Sequence, residues 1–225
     1  MLIAGTTFVS PLVSTAATDN FSLDTLYNGT SPGSSTPWLT ASITDTSANT
    51  VLMTLTANNL SAGEYVSSWY FNLATNLNAS SLNIVKTNLG TGTVNGTISK
   101  GNNSLASGGA GNFDFGFNFN TFGSGAFTEG DSVVFLITGI SGLNAASFNV
   151  LSQGGSFYTA AVINGIATPS RTCGSSTTDG KVGDNSNNPS PSPTPEPATV
   201  AILSSFVALG AYLKKRKDNS VSVNQ

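Results

Sequence analysis

Apolar and polar residues alternate with a period of two along most of the chain from Thr18 to about Thr168. In TVLMTLTA, Thr50 to Ala57, the residues Val51, Met53 and Leu55 share one face, and Leu52, Thr54 and Thr56 the other. YVSSWYFNL, residues 65–73, sets Ser67, Trp69, Phe71 and Leu73 against Val66, Ser68 and Tyr70. NFDFGFNFN, residues 112–120, places Phe113, Phe115, Phe117 and Phe119 on one side and Asp114, Gly116, Asn118 and Asn120 on the other. SVVFLITG, residues 132–139, is apolar on both faces, as a strand covered on both sides would be. Further strands are expected at Leu39 to Thr44, Leu82 to Lys86, Phe148 to Leu151 and Tyr158 to Ile163. Turn signals separate them at Asn28-Gly29, Asn95-Gly96, Gly108-Gly109 and Glu129-Gly130-Asp131. Short strands, glycine-rich turns and no convincing helix predict an all-β domain over 18–168, a sandwich or jelly roll of short antiparallel strands.

The phenylalanine ladder reads as a core face. Each Phe left in water would forgo about 1.5–3 kcal/mol of burial, and Phe lacks the polar edge with which Trp and Tyr meet sugars. Trp38, Trp69, Tyr70 and Tyr158 are the better candidates for sugar contact, although Trp69 alternates with apolar neighbours.

The pattern changes at both ends. Residues 1–17 read as the rear part of a signal peptide, with an apolar run from Leu2 to Val13 before Ser14-Thr15-Ala16-Ala17. Residues 169–197 turn rich in Ser, Pro and Asn and predict an extended, semi-rigid spacer. Within it, DGKVGDNSNN has oxygen ligands but not the order of a calcium loop, and it reads as linker. Ala198 to Leu213 holds 16 uncharged residues, which as a helix would span roughly 24 Å against a hydrocarbon core of about 30 Å. Pro197 suits its first turn. Lys214 and Lys215 can snorkel to the interface, so this short run is expected to be a transmembrane helix. Lys214, Lys215, Arg216 and Lys217 are four of the chain's 8 bases. As a stop and orientation signal they place residues 214–225 in the cytoplasm and the body outside.

Pro195-Glu196-Pro197, the short apolar run and the basic cluster, in that order, resemble the PEP-CTERM sorting signal of exported bacterial proteins. That region is also catalogued as an ice-binding-protein C-terminal domain. The resemblance covers about Thr194 to Lys217. It implies export, retention by the helix, and processing by an exosortase, a membrane-embedded cysteine protease or transpeptidase. Prolines on both sides of Glu196 keep the segment extended, so that an enzyme at the membrane surface could grip it. The tail DNSVSVNQ runs on past the basic cluster, further than is usual in the family. More loosely, WLTASITD, YVSSWYFNL, NFDFGFNF, GDSVVFLITG and SFYTAAVI resemble folded domains carried by cyanobacterial PEP-CTERM proteins.

Composition narrows the chemistry. Charged residues are 8% of the chain, against roughly 25% in an average soluble protein. Residues 1–213 carry a net charge of −6 and residues 214–225 one of +3, so nucleic acid is not an expected partner. There is no histidine and one cysteine, Cys173. A Ser-His-Asp triad, a His-dependent metal site and an internal disulfide framework are therefore ruled out. Catalytic residues, cofactor and metal are all assigned as none. The alternative reading is a carbohydrate-active enzyme with paired carboxylates drawn from Asp45, Glu64, Asp114, Glu129 and Asp131. Ice binding would call for rows of Thr, and Thr54/Thr56 and Thr91/Thr93 are isolated pairs. The favoured expectation is a membrane-anchored or anchored-then-released surface or matrix protein, with surface polysaccharide as the natural partner of its β domain.

Overall fold

The structure is a computed structural model and describes residues 16–33, 35–168 and 176–186. The signal-peptide run up to residue 15, Cys173, the Pro195-Glu196-Pro197 motif, the span 198–213 and the basic residues Lys214 to Lys217 lie outside the described residues.

Among the described residues eleven strands form two antiparallel sheets. The first sheet contains β1 (Thr18–Leu23), β3 (Leu39–Ser47), β4 (Thr50–Ala57), β6 (Asn83–Lys86) and β9 (Ser132–Thr138), in the order β1-β3-β4-β9-β6. The second contains β2 (Thr25–Gly29), β5 (Tyr65–Phe71), β7 (Gly96–Ala106), β8 (Asn112–Phe119), β10 (Thr159–Thr168) and β11 (Ser176–Asp184), in the order β2-β11-β10-β5-β8-β7. Their facing sides share one apolar core, which makes the arrangement sandwich-like. The alternation read in β4 holds: Val51, Met53 and Leu55 are buried and pair through β3 and β9 with Ile43, Ala41, Phe135 and Val133.

Four expectations are corrected, the last of them where the spacer begins. Residues 148–151 form no strand. Asn144 starts a 3-10 turn over Ala145–Phe148, its side chain accepting from the Ser147 amide while Ser147 Oγ accepts from the Asn144 amide. The faces of β5 do not alternate throughout, because the register against β10 slips between Val162 and Ile163. The bulge turns Val66 into the core together with Trp69 and Phe71. Nor do the four Phe of β8 share one face. Phe115, Phe117 and Phe119 enter the main core, whereas Phe113 joins a second cluster with Ala110, Phe157 and Ala160.

That second cluster contains the reason why β11 was read as spacer. Gly180 and Gly183 leave two positions of the strand without side chains, and neighbours cover both. A Cβ on Gly183 would collide with the Phe157 ring, and one on Gly180 would lie 2.8 Å from Ile166 Cδ1. Val182 between them is fully buried in the main core. β11 pairs with both β10 and β2, so the spacer cannot begin before its end at Asp184.

Tyr27 closes the second cluster, its ring 4.8 Å from that of Phe157 and its hydroxyl bonded to Ser107 Oγ at 2.8 Å. Burial pushes its phenol up to about 12, the Ser107 hydrogen bond works against this, and Tyr70 adds to it. Because the folded value lies above the unfolded 10.0, Tyr27 supports the fold fully below about pH 10 and loses that support as pH climbs towards 12. Tyr27→Phe is expected to cost about 1 kcal/mol at neutral pH and to flatten the alkaline limb of a stability–pH curve measured by urea unfolding.

Candidate functional site

A polar concavity arises from an irregularity in the β7–β8 pair. Between Lys100 and Leu105 the β7 chain advances five residues while β8 moves only from Phe115 to Phe113, so Gly101 to Ser104 loop out. Asn103 takes a left-handed φ of 50°, a region that asparagine tolerates better than most residues. The loop is tied down by Asp114, whose Oδ1 accepts the Asn103 amide at 2.7 Å and whose Oδ2 accepts the Leu73 amide at 2.8 Å. One buried carboxylate thus holds the β7 loop to the chain leaving β5.

The resulting hollow has a volume of about 280 Å³, near the lower end of small-ligand sites at roughly 300–1,000 Å³. Its polar lining is mainly amide: Asn72, Asn102, Asn103 and Gln153, with Thr75. Asn72 Nδ2 donates to the Tyr158 carbonyl and Asn102 Oδ1 accepts the Ala79 amide, which orients both side chains. Asn72 Oδ1, Asn102 Nδ2, the side-chain amides of Asn103 and Gln153 and the Thr75 hydroxyl make no hydrogen bond among the described residues. Leu151, 47% exposed, supplies an apolar patch beside them. The lining carries no lysine or arginine and one carboxylate, Asp114. Such a surface offers donors and acceptors to neutral hydroxyl-rich groups and disfavours anions.

The aromatic residues singled out for sugar contact are not platforms. Trp69 is fully buried, its indole N–H donating to Thr159 Oγ1 at 2.8 Å. Trp38 and Tyr158 are buried too. Tyr70 is half-buried and lies over Gly116, where a Cβ would come within 2.6 Å of its ring, and stacks on Phe113. Among the described residues the aromatic left in solvent is Phe122, 83% exposed, on which the sequence pattern placed no emphasis.

Each of the five acids considered for paired-carboxylate chemistry holds a backbone amide. Asp45 accepts from Ala145, Glu129 from Leu60, and Asp131 from Thr128. Glu64, buried, accepts from Gly33 and Ser61. Asp114 accepts from Asn103 and Leu73, as above. Among the described residues no three acids, histidines or cysteines gather as a metal cage.

Two acids outside that set lie deeper. Asp19, on β1, is 1% exposed and faces inward with Phe21 and Leu23. Asp184, which ends β11, is also 1% exposed. Its Oδ2 accepts the Ser22 amide of β1 at 2.7 Å, and its Oδ1 accepts the amide and hydroxyl of Ser186. Neither oxygen of Asp19 has a hydrogen-bond partner. Burial pushes the Asp19 carboxyl up to about 6; the Asn20 amide, too poorly placed to make a proper bond, eases this and the charge of Asp184 adds to it. An acid at an inward position of a strand is the signal that could have marked Asp19. Asp184 was hidden because its strand was read as linker. No protein-family model, curated protein or solved structure matches this chain.

Proposed function

We propose that this chain is an exported protein of the cell surface or extracellular matrix. A C-terminal PEP-CTERM-type signal delivers it, and its β domain associates with neutral polysaccharide through the amide-lined hollow. The observation that carries the reading is the order Pro195-Glu196-Pro197, apolar run, Lys214-Lys215-Arg216-Lys217. In this reading the body lies outside the cytoplasm, the helix over 198–213 holds it in the membrane, and an exosortase-type enzyme acts at the proline-flanked glutamate. The hollow supports the glycan part. Neighbours orient the amides of Asn72 and Asn102, and the hollow leaves both donors and acceptors for sugar hydroxyls, with apolar surface beside them for a ring face.

Fractionation of the native host tests delivery, using an antiserum to the β domain and an epitope tag after Gln225. Domain at the surface without the tag, with an intact mass ending near Pro195 to Pro197, is the expected result. Both signals in the cytoplasm would remove the reading. Pull-down on the host's own polysaccharide tests the second half. Gln153→Ala with Thr75→Ala changes exposed side chains without a hydrogen bond among the described residues, so stability should stay within about 0.5 kcal/mol. Retention on neutral polysaccharide should fall at least about tenfold, a loss of roughly 1.4 kcal/mol. Unchanged retention would exclude the hollow as the contact.

A further inference from the structure

The seam where the end of β11 meets the open edge of β1 holds two buried carboxylates and, among the described residues, no basic side chain. Asp184 reaches across it to the Ser22 amide, so the seam is a defined junction. The described lysines are committed elsewhere: Lys86 to the carbonyl of Val94, Lys100 to that of Leu82, and Lys181 to Asp179. Two carboxylates brought together out of water repel each other, and an unpaired buried charge is costly. A proton on Asp19 would remove its charge, but its O–H and carbonyl oxygen would still lack hydrogen-bond partners among the described residues. A cation would satisfy both oxygens of Asp19 and draw on lone pairs that the Asp184 oxygens retain. Because the Ser22 N–H faces Asp184, strand alternation turns the carbonyls of Asn20 and Ser22 towards the same open edge.

The geometry points to a binding site for a hard divalent cation of the calcium type, held by Asp19 and Asp184 between β1 and β11. The donors are oxygens in an irregular array of carboxylate and backbone groups, which suits calcium better than the strict octahedron of magnesium. The chain has no histidine, and its single cysteine is not among the described residues, so soft or borderline metals lack their usual ligands here. The cation would join the edge strand of one sheet to the last strand of the other.

The test is thermal unfolding of the full chain at constant ionic strength, in chelator and then in calcium from about 10⁻⁵ to 10⁻² M, the range of weaker calcium sites. Isothermal titration runs alongside. The expected result is one calcium per chain and a saturable rise in Tm of about 5–10 °C at about 100-fold excess over Kd. Magnesium should give a much smaller rise. Asp19→Asn should abolish the calcium-dependent part while keeping the far-ultraviolet circular dichroism of the parent. An undiminished shift in folded Asp19→Asn would place the ion elsewhere and overturn the inference. So would the absence of one-site calcium binding by the unaltered chain, a result that does not depend on any variant folding. Neither outcome touches export or glycan association, which rest on other residues.

Discussion

A chain ended after Thr168 is expected to show no cooperative unfolding transition, whereas one ended after Ser186 is expected to fold. The difference contains β11. Without that strand β2 loses its sheet neighbour, and β10 becomes an edge. Val182 leaves the core, and the Ser22 amide loses the Asp184 carboxylate. The exposed β10 side would carry unpaired backbone groups next to Ala161 and Ile163, an invitation to aggregate. Together these losses are comparable with the whole stability of a domain, about 5–15 kcal/mol. Urea unfolding followed by circular dichroism reads the outcome directly. A single transition of similar m value in both chains would mean that residues 176–184 are dispensable, as a spacer would be.

Phe71→Ala should lower stability by about 3–5 kcal/mol, the usual cost of removing a fully buried aromatic ring. For a domain of this size that corresponds to a fall in Tm of about 6–20 °C. Phe71 is chosen because it touches rings from both sheets. It stacks on Trp69 and Phe115 at 5.8 and 5.6 Å, and meets Phe21 of β1 and Phe117 edge-on at 6.5 and 6.1 Å. No single neighbour can move to fill the space without giving up its own packing, so the cavity term should be near the upper end. Leu151→Ala, at an exposed position, is the control and should change stability by no more than about 0.5 kcal/mol. Equal effects from the two substitutions would contradict the placement of the core.

The fold was legible where a strand supplies its own apolar face. Val51, Met53 and Leu55 are read correctly because β4 is regular and its partners on both sides are regular too. Val66 was assigned the wrong side because a bulge adds a residue to β5, and the period of two then restarts in the opposite phase. Phe113, also assigned the wrong side, lies where the regular pairing of β8 with β7 breaks off. Nothing in the local pattern announces where that happens. β11 was missed for a different reason. Its glycines lower its own strand preference, and the groups that cover them, Phe157 and Ile166, come from residues well before it in the chain.

The candidate sites follow the same division. The amides of the hollow are separated by up to about 80 positions, and Asp114, one of the links that assemble them, looks in sequence like any polar residue of an alternating strand. Asp19 and Asp184 are 165 residues apart and share a seam because Asp184 reaches the Ser22 amide of the edge strand that carries Asp19.

By itself the amino-acid sequence determined the all-β class, the apolar faces of the regular strands, and the exclusion of histidine-dependent chemistry, since these depend on residue type and local spacing. It also carries the order Pro195-Glu196-Pro197, apolar run and basic cluster on which the proposed delivery rests. The tertiary structure alone decided which face follows each bulge, that a stretch with two glycines is a strand paired on both sides, and which polar groups converge. Those outcomes depend on partners distant in sequence, and burial of a polar group is a property of what surrounds it.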